Sequence, residues 1–85
     1  MNKPGFSGEL IMDVRGLIPS ERHGPIRAAL AALPAGRILI VINDHNPQGL
    51  FFELEAMPES AGKYEYQAEE KGERCWHAVI KPKAG

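Results

Sequence analysis

The sequence predicts one α/β domain with the element order β-α-β-α-β-β. In the first half, two short apolar runs suited to strands alternate with two segments of helical periodicity. The second half holds two alternating runs on either side of a short polar turn, a pattern that is typical of a β-hairpin. A chain of 85 residues has room for one hydrophobic core and no second domain.

Composition excludes several classes of protein. The chain is 44% hydrophobic and 25% charged, which argues against intrinsic disorder. Its net charge of −1 gives no reason to expect binding to nucleic acid or to an anionic membrane surface. The longest apolar run, residues 38–42, is far too short to cross a membrane. With Cys75 as the single cysteine, an internal disulfide and a cysteine-ligated zinc site are both excluded. No signal peptide is apparent, and we expect a reducing, cytoplasmic location.

The first half of the domain carries the β-α-β unit. Residues 1–7 are predicted to be a flexible leader, residues 8–82 the domain and residues 83–85 a tail. The first strand is expected at residues 9–14 and the first helix at residues 25–33. Two starts are open for this helix: either Ser20 caps it, or Gly24 caps it and Pro25 takes the first helical position.

The next strand and helix follow the same order. Residues 37–43 form the second strand, which should be central because residues 38–42 are apolar on both faces. Asn46 is expected to cap the second helix, with Pro47 first and the end near Met57.

The hairpin completes the sheet. Strands are predicted at residues 63–69 and 74–81, with the turn at Lys71-Gly72. Alternation puts Trp76, Ala78 and Ile80 in one row, which we expect to face the core. Cys75 and His77 then lie on the face without helices, and Tyr64 and Tyr66 are expected to cover the sheet.

Ionisable residues gather in the two loops that leave the first two strands. These strands are parallel because a β-α-β crossover joins them, so as neighbours they would bring both loops to one sheet edge. The two loops together contribute seven candidate ligand-binding residues: Arg15, Glu21, Arg22, His23, Asn43, Asp44 and His45.

Three chemistries suit this edge. Arginines beside helix N-termini favour a small anion. His23, His45 and Asp44 could bind a divalent metal as a cofactor, and Asp13 and Glu21 are further candidate ligands. A histidine–aspartate pair could also serve acid/base catalysis.

Each residue also has a structural interpretation. Arg15 and Arg22 could tie their loop to Asp13, to Asp44 or to backbone carbonyls. Asp44 could be a turn residue that bonds its own backbone. The histidines could serve as capping and loop residues.

Several motifs carry a resemblance to a known family. They are I-M-D-V-R-G-L-I-P-S-E-R-H from Ile11, A-L-P-A-G from Ala32, N-D-H-N-P from Asn43, and the terminal strand with Trp76. Together they resemble a family of small uncharacterised bacterial domains related to the TusA/SirA sulfur carriers, over about residues 9–82. The resemblance implies a two-layer sandwich, with strand order 1-2-4-3, both helices on one face and the fourth strand antiparallel.

The resemblance also bears on function. The sulfur carriers use a Cys-Pro pair at the start of the first helix, and Pro19 stands about where that cysteine would be. It therefore implies no persulfide relay at this position, and nothing around Cys75 predicts a reactive thiol. We expect a non-enzymatic binding or accessory module that holds a small anion, a metal or an acidic tail of a partner at the loop edge.

Two other functions stay open. One is metal-assisted or acid/base catalysis by His23, His45 and Asp44, and the other is sulfur transfer through Cys75. The uncovered face of a two-layer sandwich also suits a protein partner or self-association.

Overall fold

The computed structural model describes residues 9–34 and 36–83 and shows the predicted element order. The predicted leader and the last two residues of the predicted tail lie outside this range. Neither described helix is long and apolar enough to span a membrane. The elements are β1 (Glu9–Asp13), a 3₁₀ turn (Pro19–Glu21), α1 (His23–Ala32), β2 (Ile38–Asn43), α2 (Gln48–Ala56), β3 (Tyr64–Gly72) and β4 (Cys75–Pro82).

The four strands form one mixed sheet in the order β1-β2-β4-β3, which confirms the expected topology. β1 and β2 are parallel, whereas β4 runs antiparallel to both of its neighbours. One row across the sheet joins Met12, Val41, Ala78 and Ala68. Because β1 and β2 are adjacent and parallel, the loops that follow them leave from the same edge.

Both helices pack on one face of this sheet. α1 contributes Ile26 and Leu30, and α2 contributes Leu50, Phe51 and Leu54. The ring of Phe51 stacks on that of Tyr66, with centroids 4.9 Å apart. The core residues from outside the helices are Val14, Leu39, Val41, Ala78 and Ile80.

The opposite face of the sheet carries the other half of the strand alternation. Ile38, Ile40 and Ile42 are half-buried there, and Ile11 is 65% exposed. Neither described helix packs over these residues, because the apolar stripes of both helices are buried on the other face. The sandwich therefore has two layers with one uncovered sheet surface, which we call the open face.

The first helix begins differently from both predicted starts. Pro19 opens a 3₁₀ turn that contains Ser20, and α1 then begins at His23 with Arg22 at its N-cap. Pro25 falls inside the first turn of the helix. Its missing N–H is tolerated there, because the first N–H groups of a helix have no partner within the helix.

The predicted hairpin turn at Lys71-Gly72 is wrong. β3 continues to Gly72, and the turn is formed by Glu73 and Arg74, with a register shift between Glu70 and Gly72. Arg74 takes a left-handed conformation with φ of 56°. Register explains the difference, because a one-residue slip would turn every core-facing side chain of β3 away from the helices.

Trp76 lies in the predicted row but is not part of the core. The residue is half-buried, whereas Ala78 and Ile80 in the same row are fully buried. It stands near the start of β4, opposite Asn43 of β2 and Glu70 of β3, at the edge where the two loops leave. Cys75 and His77 are half-buried and alternate onto the open face, as predicted.

Two residues of α2, two positions apart in the sequence, test this packing. Leu54 is 1% exposed and Phe52 is 81% exposed. We expect Leu54→Ala to lower the free energy of unfolding by about 2–5 kcal/mol, because it leaves a cavity in the core. Phe52→Ala should change it by less than about 0.5 kcal/mol. Urea denaturation measures both, and equal losses would contradict the assigned helix orientation.

Candidate functional site

The loops after β1 and β2 meet and enclose a cavity of about 450 Å³, which we call the loop cleft. The first turn of α2 forms part of its wall. Four of the seven predicted site residues line it: Arg22, His23, Asn43 and His45. The other lining residues are Pro19, Ser20, Asn46, Pro47, Gly49 and Leu50.

Arg22 joins the two loops. Although its side chain is only 6% exposed, its guanidinium donates to protein acceptors on every side. On its own loop, Nε donates to the Leu17 carbonyl at 2.8 Å and Nη2 lies 3.5 Å from the Arg15 carbonyl. Across the cleft, Nη1 donates to Asn43 Oδ1 at 2.7 Å and to Asp44 Oδ1 at 2.8 Å. The structural interpretation of Arg22 is therefore confirmed, and little of its hydrogen-bonding capacity is left for a ligand.

Asp44 receives charged and polar donors on both carboxylate oxygens. Besides the bond from Nη1, Arg22 Nη2 donates to Oδ2 at 3.1 Å, and His45 Nδ1 lies 2.8 Å from Oδ1. The bonds from Arg22, followed by that from His45, hold the pKa of the Asp44 carboxyl well below its usual range. The Asp44 carboxylate thus bonds the side chains of Arg22 and His45, and the Asp44 N–H donates to Asn43 Oδ1.

Asn43 has a buried amide with a fixed orientation. The residue is 5% exposed, and its Oδ1 accepts from Arg22 Nη1 and from the Asp44 N–H at 2.9 Å. Two donors on one atom identify that atom as the oxygen, so Nδ2 is on the other side of the amide. No acceptor for Nδ2 exists among the residues that the structure describes. Asn43 is therefore a lining residue of the loop cleft whose two Nδ2 hydrogens are unpaired within the described part of the protein.

Each histidine of the cleft is held by a carboxylate. His23 Nδ1 lies 2.5 Å from Glu53 Oε1, which ties α1 to α2, and His45 Nδ1 lies on Asp44. Because a carboxylate only accepts, Nδ1 carries the proton of a neutral ring and Nε2 is left with a lone pair. The two side chains are 36% and 61% exposed, so Nε2 of each ring is accessible to a ligand.

Arg15 and Glu21 lie outside the cleft lining. Arg15 turns back to Asp13, with Nε donating to Oδ1 at 3.0 Å and Nη2 to Oδ2 at 2.7 Å. These bonds lower the pKa of the Asp13 carboxyl to about 2. Glu21 is exposed at the end of the 3₁₀ turn. The structural interpretation of Arg15 is confirmed.

The candidate metal ligands are not arranged around one point. Within residues 9–34 and 36–83, no three histidine, cysteine or carboxylate side chains are grouped so that they could hold a metal ion. Asp44 is occupied by Arg22, while His23 turns to Glu53 and His45 to Asp44. The set His23, His45 and Asp44 therefore offers no formed metal site.

The cleft also includes residues beyond those predicted from the sequence. Asn46 Oδ1 accepts the Gln48 N–H at 3.1 Å, but α2 begins at Gln48 with Pro47 at its N-cap, one residue later than predicted. Gly49 and Leu50 also line the cleft from the first turn of α2, and Glu53 orients His23 from the next turn. The predicted N-terminus of the second helix at this edge could have indicated Gly49 and Leu50. No sequence pattern indicates Glu53, because its contact with His23 depends on how the two helices pack.

Replacing Arg22 by methionine tests its role in joining the loops. We expect Arg22→Met to lower the free energy of unfolding by about 2 kcal/mol or more, because it leaves Asn43 and Asp44 without their buried donor. Arg15→Met is the matched control and should cause a much smaller loss, since its ion pair is exposed. Urea denaturation of both variants measures the difference, and equal effects would contradict the assigned role.

The low pKa of Asp44 predicts a pH dependence of stability. The Asp44 carboxyl takes up a proton at a higher pH in the unfolded chain than in the folded chain. The stabilisation from Asp44 is therefore complete above its unfolded pKa, roughly 4, and is lost as the pH falls towards the folded pKa. Asp44→Asn should flatten the fall in stability below about pH 4.

Unfolding free energies measured in urea at several acidic pH values test this expectation. Asp13→Asn should flatten a further part of the same curve, because the pKa of Asp13 is also lowered. If the curves of the wild type and Asp44→Asn ran parallel, the assigned origin of the acid sensitivity would be wrong.

Comparisons with known proteins place the chain in a family. No curated protein and no solved structure shows a significant match. A family model described as an uncharacterised conserved protein, DUF2249, matches residues 11–82. That range begins inside β1, ends with β4 and contains the whole loop cleft. The chain therefore belongs to the DUF2249 family of uncharacterised conserved proteins.

Proposed function

We propose that this protein is a non-catalytic binding module that takes a small oxyanion in the loop cleft. The supporting observation is the Asn43 amide, whose side chain is more than nine-tenths buried and whose two Nδ2 hydrogens have no acceptor among residues 9–34 and 36–83. Buried donors are rarely left unpaired in folded proteins, so an acceptor from outside the chain is expected. Carboxylates, phosphates and sulfur oxyanions share this chemistry.

Other groups of the cleft support the same class of ligand. His23 and His45 each present Nε2, and a protonated imidazole donates a charge-assisted hydrogen bond from that atom. The first turn of α2, where Gly49 and Leu50 line the cleft, supplies N–H groups and a partial positive charge. Arg22 acts indirectly, by keeping the Asn43 amide in its orientation.

This arrangement predicts which groups of the protein respond to a small oxyanion. The measurement is a titration of ¹⁵N-labelled protein with inorganic phosphate, sulfate and acetate, followed by NMR. The largest shifts are expected at Asn43 Nδ2 and at the Gly49 and Leu50 amides.

Asn43→Asp is the decisive variant. It keeps an acceptor for Arg22 while replacing the two donors by an oxygen, so the fold should persist and anion affinity should fall by about tenfold or more. His45→Gln should weaken binding less. His77→Gln, on the open face, is the matched control and should have no effect. Unchanged affinity in Asn43→Asp, or shifts confined to other surfaces, would disprove the proposal.

A second candidate function rests on the paired histidines. In both imidazoles Nδ1 is held by a carboxylate, an arrangement that fixes the tautomer and leaves the lone pair of Nε2 for a proton. Acid/base chemistry of a bound substrate is the function this would serve. It would be recognised by turnover that is lost in His23→Gln and His45→Gln, whereas a pure binding module has no turnover to lose.

The wider setting is part of the same proposal. We infer that the domain is a bacterial, cytoplasmic relative of the TusA/SirA sulfur carriers in which the sulfur-bearing position is taken by Pro19, a residue of the cleft lining. Sulfur transfer through Cys75 stays a separate prediction, because Cys75 lies on the open face and does not line the loop cleft. That face, with Ile11 exposed, is also our candidate surface for a protein partner or a second copy.

A further inference from the structure

A second cavity, of about 460 Å³, lies in the helix layer between α1 and the segment that follows α2. We call it the helix groove. It shares no lining residue with the loop cleft, and its volume lies in the range of small-molecule sites. Its lining consists of Gly24, Arg27, Ala28, Leu30, Ala31, Leu54, Glu59, Ser60 and Tyr64.

The floor of the helix groove is apolar and belongs to the core. Leu30 and Leu54 are 6% and 1% exposed, so the groove reaches down to fully packed side chains. Ala28 and Ala31 are exposed, and their small side chains leave the space open above the floor. An occupant with a compact apolar body would therefore remove the apolar surface of Ala28 and Ala31 from water.

Arg27 brings an uncompensated charge to the groove. The structure gives its guanidinium one contact, from Nη1 to the thioether sulfur of Met57 at 3.5 Å, and the described residues provide no carboxylate partner. A thioether is a weak and neutral acceptor, whereas a carboxylate forms a stronger, charge-assisted bond with a guanidinium. The existing contact already holds Arg27 across the groove, from α1 towards the end of α2.

Two other polar groups of the lining define the charge of the ligand. Among the described residues, the Tyr64 hydroxyl has no hydrogen-bond partner and Glu59 has no ion-pair partner. Ser60 is not available in the same way, because its Oγ already donates to the Leu54 carbonyl. The lining thus holds one cation, Arg27, and one separate carboxylate, Glu59, which would repel a second negative charge on the ligand. This favours a monoanion over a dianion.

We propose that the helix groove is a binding site for a small monocarboxylate with a compact apolar body. The body lies on Leu30 and Leu54, and the carboxylate replaces the thioether of Met57 as the acceptor for Arg27. The Tyr64 hydroxyl is a second donor in the same lining. This site goes beyond the function proposed for the loop cleft, and either site can fail without the other.

Three probes separate the parts of the ligand. 4-Methylpentanoate carries both the body and the charge, 4-methylpentanamide carries the body alone, and acetate carries the charge alone. NMR titration should show saturable shifts of the Ala31 and Leu54 signals with 4-methylpentanoate. The amide and acetate should bind about tenfold more weakly, since each lacks one of the two interactions.

Two variants and a control complete the test. Arg27→Gln should reduce the affinity for 4-methylpentanoate to that for the amide, while the affinity for the amide stays unchanged. Ala31→Phe should abolish the binding of both by filling the groove, with the fold checked by circular dichroism. Arg74→Gln, on the β3–β4 turn, should change nothing. Equal affinity for acid and amide, an unaffected Arg27→Gln, or shifts confined to the loop cleft would overturn the proposal.

Discussion

The buried Arg22 guanidinium holds the two loops of the site together. Parallel neighbouring strands bring their following loops to one edge, but they do not fix how the loops face each other. Arg22 does so by donating to backbone carbonyls of its own loop and to Asn43 and Asp44 of the other. The Asp44 carboxylate neutralises the charge of the Arg22 guanidinium. The contact between the two loops therefore does not depend on a charged ligand.

This use of Arg22 leaves recognition to the other groups of the loop cleft. Asn43 accepts from Arg22 through its oxygen and also lines the cleft, so one side chain connects the structural network with the proposed ligand site. The bond between His23 and Glu53 spans the two helices, with His23 lining the loop cleft and Gly24 lining the helix groove. The domain thus offers a polar cavity and an apolar cavity on either side of one inter-helix contact.

Much of the fold follows from local patterns, whereas the details of the site depend on tertiary contacts. The apolar run of β2 and the alternation in β3 and β4 predict the sheet, because burial on one or two faces dictates them. The start of α1 was mispredicted because Pro19, Ser20 and Pro25 each suit a helix start, and the choice depends on the bonds of Arg22. Glu53 could not be found, since no sequence spacing relates residues on two packed helices.

The position of Trp76 has a practical consequence. The indole is half-buried, lies opposite Asn43 across the β2–β4 ladder and is the only one in the sequence. Tryptophan emission depends on the polarity around the ring. An intrinsic fluorophore therefore lies next to Asn43, a lining residue of the loop cleft. The same optical signal can report both loss of the sheet in denaturant and events at its ligand-facing edge, without any introduced dye.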